Sequence, residues 1–304
     1  MTTNLLQLPE MEYLLPGNRA CAGCSIGIAF RHVTKALDGK AVLVVPASCF
    51  TVLCGMYPTS SVTLPVVNCT FPSTAAVASG ISASLKKQGR HDIATVAIAG
   101  DGGTADIGIQ ALSGAAERNT DLLFICYDNE AYMNTGTQRS SMTPLGARTT
   151  TTPNYGKQQY SKDVPAIMEA HNIPYIATAS PGYPGDLYDK VYKARFMTGC
   201  RYMHLSAPCP AGWHFPAADT VTVARNAVES GAFVLYEIEN GHFRLTGKSL
   251  RLAEKDKRIS VGEYLSGQGR FAKTDDDTIA LLQEQVDARW TEITARHFQE
   301  NPGS

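Results

Sequence analysis

A chain of 304 residues that is 44% apolar and 18% charged has room for one large α/β domain or two smaller ones, and it is too apolar for a fibrous or extended disordered protein. With 27 basic and 28 acidic side chains the net charge is −1, which removes the simplest electrostatic case for a nucleic-acid binder or a polybasic membrane anchor. No apolar run approaches the roughly 20 residues that span a bilayer. The first thirty residues are broken by Pro9, Glu10, Glu12, Pro16 and Arg19, which is no signal-peptide pattern, so a cytoplasmic protein without a membrane span is expected.

In chain order, amphipathic helical stretches alternate with short apolar runs. A helix is predicted over 25–37, a strand over 41–47, a helix over 73–87 and a strand over 93–99. Next come a helix over 105–117, a strand over 122–127, a helix over 164–171 and a strand over 175–178. Helix 184–197, strand 202–206, helix 218–230 and strand 232–238 complete the alternation. The strands are nearly continuous apolar runs, as parallel strands covered on both faces require. The fold expected is α/β, a doubly wound, mostly parallel sheet. Residues 130–162 have no hydrophobic period and read as an irregular loop, which at this length in a compact domain points to function. After Arg244 the composition turns charged, and 260–298 reads as short helices on a surface, giving a main domain of 1–245 and an extension of 246–304 that packs on it or on a partner.

Strand 93–99 runs straight into Gly100-Asp101-Gly102-Gly103-Thr104, with a helix directly after. Glycines let a backbone approach an anion, and the free N–H groups of a helix's first turn face it. Gly100-x-Gly102-x-x-Ala105 also satisfies a dinucleotide fingerprint, with Asp128 as the ribose acid. Asp101 separates the two readings, because a carboxylate there repels a pyrophosphate unless a divalent cation lies between them. The next strand ends in Asp128-Asn129-Glu130-Ala131, where Asn129 can offer an amide oxygen. Gly100-Asp101-Gly102, 26 residues and then Asn129 is the spacing of a thiamin-diphosphate motif.

Eight cysteines are too sparse for a disulfide scaffold. Cys21-Ala22-Gly23-Cys24 precedes a helix, Cys49 follows the first strand and Cys209 follows a later one. A Cys-x-x-Cys pair plus two distant thiols can bind Zn²⁺ or an iron–sulfur cluster, and the residues alone leave both open, along with unliganded thiols. Cys54, Cys69, Cys126 and Cys200 read as small buried hydrophobes.

Together these segments resemble the β subunit of the 2-oxoacid:ferredoxin oxidoreductases over roughly residues 15–245. The resemblance rests on Cys21 to Cys24, Pro46-Ala47-Ser48-Cys49, Ala99 to Gly108, Asp128 to Gly136 and Ala207-Pro208-Cys209-Pro210. It implies the thiamin-diphosphate-binding fold, with Cys21, Cys24, Cys49 and Cys209 holding a 4Fe–4S cluster. It also implies Mg²⁺ on Asp101, the Asn129 side chain and the Ala131 carbonyl. Gly100, Gly102, Gly103, Thr104, Thr135 and Cys49 then surround thiamin diphosphate, and Asn134 reaches its reactive end as the catalytic residue. Ser25 and Asn18 replace a glycine and a histidine common in relatives, without removing a ligand. No role is carried to His32, His214 or His242.

The activity so implied is oxidative decarboxylation of a 2-oxoacid to an acyl-CoA and CO₂, with electrons leaving through the cluster to ferredoxin. Pyruvate is the favoured substrate, ahead of phenylglyoxylate, oxalate or another 2-oxoacid, and NAD is an alternative final acceptor. The partners implied are an α-type subunit completing the thiamin site and ferredoxin-like δ and γ subunits. Against this stands a Rossmann NAD-binding subunit with structural zinc, and a scaffold subunit that keeps the fold without the chemistry.

Overall fold

The computed structural model describes residues 3–303. Its strands are β1 (Ala41–Pro46), β2 (Val66–Cys69), β3 (Ala94–Gly100), β4 (Leu122–Asp128), β5 (Tyr175–Ala179), β6 (Cys200–Ser206), β7 (Tyr236–Glu239) and β8 (His242–Leu245). The helices are α1 (Ser25–Leu37), α2 (Cys49–Cys54), α3 (Thr74–Lys87), α4 (Ile109–Glu117), α5 (Val164–Glu169), α6 (Pro184–Phe196), α7 (Pro210–Trp213), α8 (Thr220–Glu229), α9 (Gly247–Arg251), α10 (Val261–Ser266) and α11 (Asp276–Glu300). They surround one sheet ordered β2-β1-β3-β4-β6-β5-β7-β8. It is parallel from β2 to β5 and antiparallel for β7 and β8.

Alternation along the strands divides the core in two. Leu43, Val45, Val96, Ile98, Leu123 and Ile125 face α1 and α6, whereas Val44, Ala97, Ala99, Phe124 and Cys126 face α3 and α4. Both sets are apolar because both faces are covered, which is why the strands read as unbroken apolar runs. β2 and β8 escaped the sequence reading because each is a four-residue edge strand with exposed positions. The run expected as a strand from Ala232 joins the ladder only from Tyr236.

Two expected helices differ. The stretch 105–117 is divided: Gly102–Asp106 forms one wide turn, in which Ile107 N donates to Gly102 O at 3.3 Å, and α4 starts only at Ile109. Such widened turns cluster at functional sites. The tail contains one 25-residue helix, α11, where short helices were expected. No glycine or proline interrupts it, and Ile279, Leu282, Val286, Trp290, Ile293 and His297 form a stripe at helical spacing that its many charges obscure. Trp290 is buried and its Nε1 donates to Gly231 O at 3.0 Å. No helix among the described residues is long and apolar enough to cross a membrane.

Candidate active site

Neighbouring parallel strands end side by side, and β1, β3, β4 and β6 are neighbours. Asp101 and Asn129 each stand one residue beyond their strand, and Cys49 and Cys209 each stand three beyond theirs. Open α/β sheets bind ligands at this edge. Asp101 already has helical dihedrals (φ −56°, ψ −47°), so the strand enters the wide turn without a capping residue.

Asp101 is 1% exposed. Burial raises its carboxyl well above the usual range, and the neighbouring Asp128 carboxylate adds to this. Ser140 Oγ donates to Asp101 Oδ2 at 2.5 Å, leaving Oδ1 for the site. The near atom of the Asn129 side-chain amide lies 3.0 Å from Asp101 Oδ1 and 2.9 Å from Ala131 O. Turned with its nitrogen inward, the amide donates to both oxygens. Turned with its oxygen inward, three oxygens converge, and octahedral Mg²⁺ with bonds of about 2.0–2.1 Å sets neighbouring ligand oxygens about 2.9 Å apart. The same three groups therefore fit the cation, which would also offset the cost of burying Asp101.

A cavity of about 140 Å³ opens beside them. Cys49, Gly100, Asp101, Gly102, Gly103, Asn129, Ala131, Asn134 and Thr135 line it, together with Ser48, Phe71 and Tyr132. Thr104 does not: it is fully buried and its hydroxyl donates back to Gly100 O at 2.8 Å, so any contact with a bound group falls to its main chain. Gly102 is required here, since a Cβ on it would lie 2.5 Å from the Tyr132 ring. Asn134 is exposed at the cavity rim.

The loop 130–162 has a single isolated bridge, Tyr132 to Gln138, yet it is pinned. Buried Lys157 donates from Nζ to Ser141 O and Thr143 O, both at 2.6 Å, and Tyr132 OH donates to Asp106 Oδ2 at 2.8 Å. Thr143 Oγ1 donates to Glu130 O at 2.6 Å. The loop thereby delivers Ser140 to Asp101 and closes the Tyr132 wall. Neither Ser140 nor Tyr132 carries a spacing signal in the sequence.

The four selected thiols gather on the same edge. Burial pushes Cys49 up to about 12, with Cys209, Cys24 and Cys21 contributing as neighbouring negative charges. Burial also raises Cys24 and Cys209, against which main-chain N–H groups of Gly27 and Ile26, and of Gly212 and Ala211, bond to the respective sulfurs. Thr220 Oγ1 donates to Gly23 O at 2.7 Å, tying the Cys21–Cys24 turn to the segment after Cys209. Among the described residues no three His, Cys, Asp or Glu side chains stand close enough to hold an ion unaided, so the thiols are electrostatic neighbours that are not drawn into contact. Cys54, by contrast, is raised to about 12 by burial alone.

The dinucleotide alternative loses its acid. Asp128 accepts from Glu130 N at 2.9 Å and lies 3.0 Å from His204 Nε2, whose Nδ1 is 2.8 Å from Tyr202 OH. It lines a separate cavity of about 320 Å³ under the loop, with Glu130 and Arg270, and does not line the glycine cavity. His32 Nδ1 bonds Ile28 O on its own helix at 2.8 Å, away from this chemistry.

Comparison with known proteins agrees with the geometry. Residues 47–205 match the thiamine pyrophosphate enzyme, C-terminal TPP binding domain. The chain is 47% identical to pyruvate synthase subunit PorB of Methanothermobacter thermautotrophicus, covering 95% of this chain and 99% of the relative. It is 43% identical to ketoisovalerate oxidoreductase subunit VorB of Pyrococcus abyssi, covering 95% and 94%. Among solved structures, the 2-oxoglutarate:ferredoxin oxidoreductase from Magnetococcus marinus shares the fold with a TM-score of 0.58 at 20% identity, over 72% of this chain and 82% of that one. The chain therefore belongs to the β-subunit family of the 2-oxoacid:ferredoxin oxidoreductases, whose members carry the thiamin-diphosphate-binding domain.

Proposed function

We propose that this chain is the thiamin-diphosphate-binding and cluster-binding subunit of a pyruvate:ferredoxin oxidoreductase that forms acetyl-CoA and CO₂. The observation that carries the reading is the convergence of Asp101 Oδ1, the Asn129 amide and Ala131 O at octahedral edge lengths, beside a cavity that also includes Cys49. Pyruvate is favoured by the PorB names among the relatives. The VorB relatives, nearly as similar, favour a branched-chain 2-oxoacid as the second reading.

In this reading Asp101, Asn129 and Ala131 hold Mg²⁺ against the diphosphate, and Gly102 and Gly103 let the backbone approach it. Thiamin diphosphate, when bound, supplies a thiazolium that stores the electrons freed as a 2-oxoacid loses CO₂. Phe71 and Tyr132 wall the glycine turn, with their ring centroids 6.0 Å apart. Asn134, at the rim, orients the reacting end. Cys21, Cys24, Cys49 and Cys209 would hold a 4Fe–4S cluster, which accepts electrons singly.

A cavity of about 140 Å³ is below the roughly 300 Å³ at which ligand pockets begin, which supports an α-type subunit completing the site. Ferredoxin-like δ and γ subunits would carry the electrons onward. We assign residues 1–245 to the cofactor-binding domain and 246–304 to an extension on it. A cluster on four of the eight cysteines would call for a reducing compartment such as the cytoplasm, where thiols persist.

The test is anaerobic purification of the complex with iron, sulfide and thiamin quantified, then a screen of 2-oxoacids with a viologen acceptor. About four irons per chain, bound thiamin and highest turnover on pyruvate are expected; bound zinc with nicotinamide binding would overturn the reading. Two variants sharpen it. Ser140→Ala frees Asp101 Oδ2 and is expected to raise the Mg²⁺ concentration needed for cofactor retention about tenfold, as loss of an outer-shell partner does. Gly102→Ala drives a Cβ into Tyr132, an overpacking worth about 1–3 kcal/mol; equilibrium dialysis should read about tenfold weaker binding of thiamin diphosphate.

A further inference from the structure

Helix α7, four residues long, starts directly after Cys209 and ends at Trp213. Its first main-chain bond closes on the cysteine itself, with Trp213 N donating to Cys209 O at 2.8 Å. Its other end reaches the oxygen site: Trp213 Nε1 donates to the main-chain oxygen of Asn129 at 2.9 Å. The indole is 1% exposed and cannot swing away. The Arg270 guanidinium lies 3.6 Å over its ring and pairs with Glu130 at 2.6 Å, next in sequence to Asn129. On the near side a Cβ at Gly212 would stand 2.1 Å from Met133 Sδ, so α7 also rests against the segment that carries Asn134.

We infer that Trp213 is a positioning residue that locks the Cys209 segment to the Asn129 carbonyl, so that the thiol centre and the oxygen centre are held as one rigid unit. Nothing in the chemistry of either centre needs an indole. What it contributes is a fixed-length link between the two backbone segments that follow the adjacent strands β4 and β6. Fixing the Asn129 peptide fixes where its side-chain amide starts, and an outer-shell partner of this kind typically alters metal affinity about 10- to 100-fold. Because coupling between two bound groups is reciprocal, loosening the link must be felt on both sides of it.

This inference rests on the reading of Asp101, Asn129 and Ala131 as Mg²⁺ ligands and of Cys209 as a cluster ligand. The test compares wild-type complex with Trp213→Phe, which keeps an aromatic ring beside Arg270 and removes the N–H together with the second ring of the indole; Trp213→His separates the two losses. Three quantities are read: iron per chain, the Mg²⁺ concentration that half-saturates thiamin diphosphate retention, and the electron paramagnetic resonance spectrum of the reduced protein with and without Mg²⁺ and thiamin diphosphate. Expected for the variant are unchanged iron, an Mg²⁺ requirement raised about tenfold or more, and a smaller spectral change on adding the cofactor than wild type gives. Trp213→His, whose imidazole N–H can donate, should recover part of the affinity. A Phe variant with the wild-type Mg²⁺ requirement and the wild-type spectral change would overturn the inference while leaving the proposed function intact. Wild-type complex that retains no thiamin diphosphate would overturn both. Should the Phe variant fail to assemble, Arg270→Lys decides: it keeps a charge for Glu130, loses the planar stack, and should raise the Mg²⁺ requirement about tenfold, the low side of an outer-shell effect; no change would overturn the inference.

Discussion

Asp101→Asn is expected to weaken cofactor retention about 100-fold in the assembled complex while leaving the unloaded protein at least as stable as wild type. The two effects have one cause. The carboxylate is buried beside Asp128 with its pKa well raised, so without a cation its charge is a cost to the fold, and an amide of the same shape removes that cost. With Mg²⁺ present the same charge becomes the strongest ligand of the site, and losing it should match at least the largest outer-shell effects, weakening binding about 100-fold. At cofactor concentrations a hundred times the wild-type Kd, wild type then gains about 2.7 kcal/mol from binding and the variant about 0.4 kcal/mol. Thermal melts with and without Mg²⁺ and thiamin diphosphate check both halves. An unloaded variant that melts lower than wild type, or one that keeps the full ligand-induced shift, would contradict the assignment of Asp101. Turnover on the 2-oxoacid should fall in step with the bound thiamin.

Cys49→Ser carries the second large effect. Cys49 lines the cofactor cavity and is the thiol that feels Cys209, Cys24 and Cys21 together. Its loss should take iron from about four per chain to below about one, bleach the broad absorption near 400 nm that four-thiolate clusters give, and stop reduction of the viologen acceptor. Thiamin diphosphate should still bind, since Asp101, Asn129 and Ala131 are untouched. The control is Cys200→Ser: Cys200 opens β6 at the opposite end from the site and is raised to about 12 by burial without another thiol contributing. That variant should keep its iron. A full iron complement in Cys49→Ser would remove Cys49 from the ligand set.

Much of the arrangement was legible in the sequence because four of the candidate residues stand next to strand ends. Asp101 and Asn129 are each one residue past an apolar run, and Cys49 and Cys209 each three past one, so the pattern that fixes the strands also fixes where these side chains stand, whereas Cys21 and Cys24 precede α1. Strand order, which brings four ends together, was not legible, because periodicity gives the face of a strand and not its neighbour. Ser140 and Lys157 were not legible: they act from a loop whose shape is set by single hydrogen bonds to main-chain oxygens, and such contacts leave no period. Trp213 was visible as a residue four past Cys209, but its partner, the Asn129 carbonyl, is a main-chain atom that every residue type offers. The long final helix was hidden by charge, since one buried stripe suffices when the other sides are solvated.

The order β1-β3-β4-β6 places Cys49 and Cys209 on the outer strands and Asp101 and Asn129 on the inner pair. Strands are spaced about 4.8 Å apart, so three ladder steps, about 14 Å, separate the strand ends that lead to the two outer thiols, with Asp101 and Asn129 between them. For the proposed cluster to take both thiols, the loops after β1 and β6 would have to lead Cys49 and Cys209 toward one another across that span, while the covering helices can vary without moving the strand ends. A one-residue slip between two of these four strands would displace one strand end by about 3.3 Å and pull apart the residues proposed to share a centre.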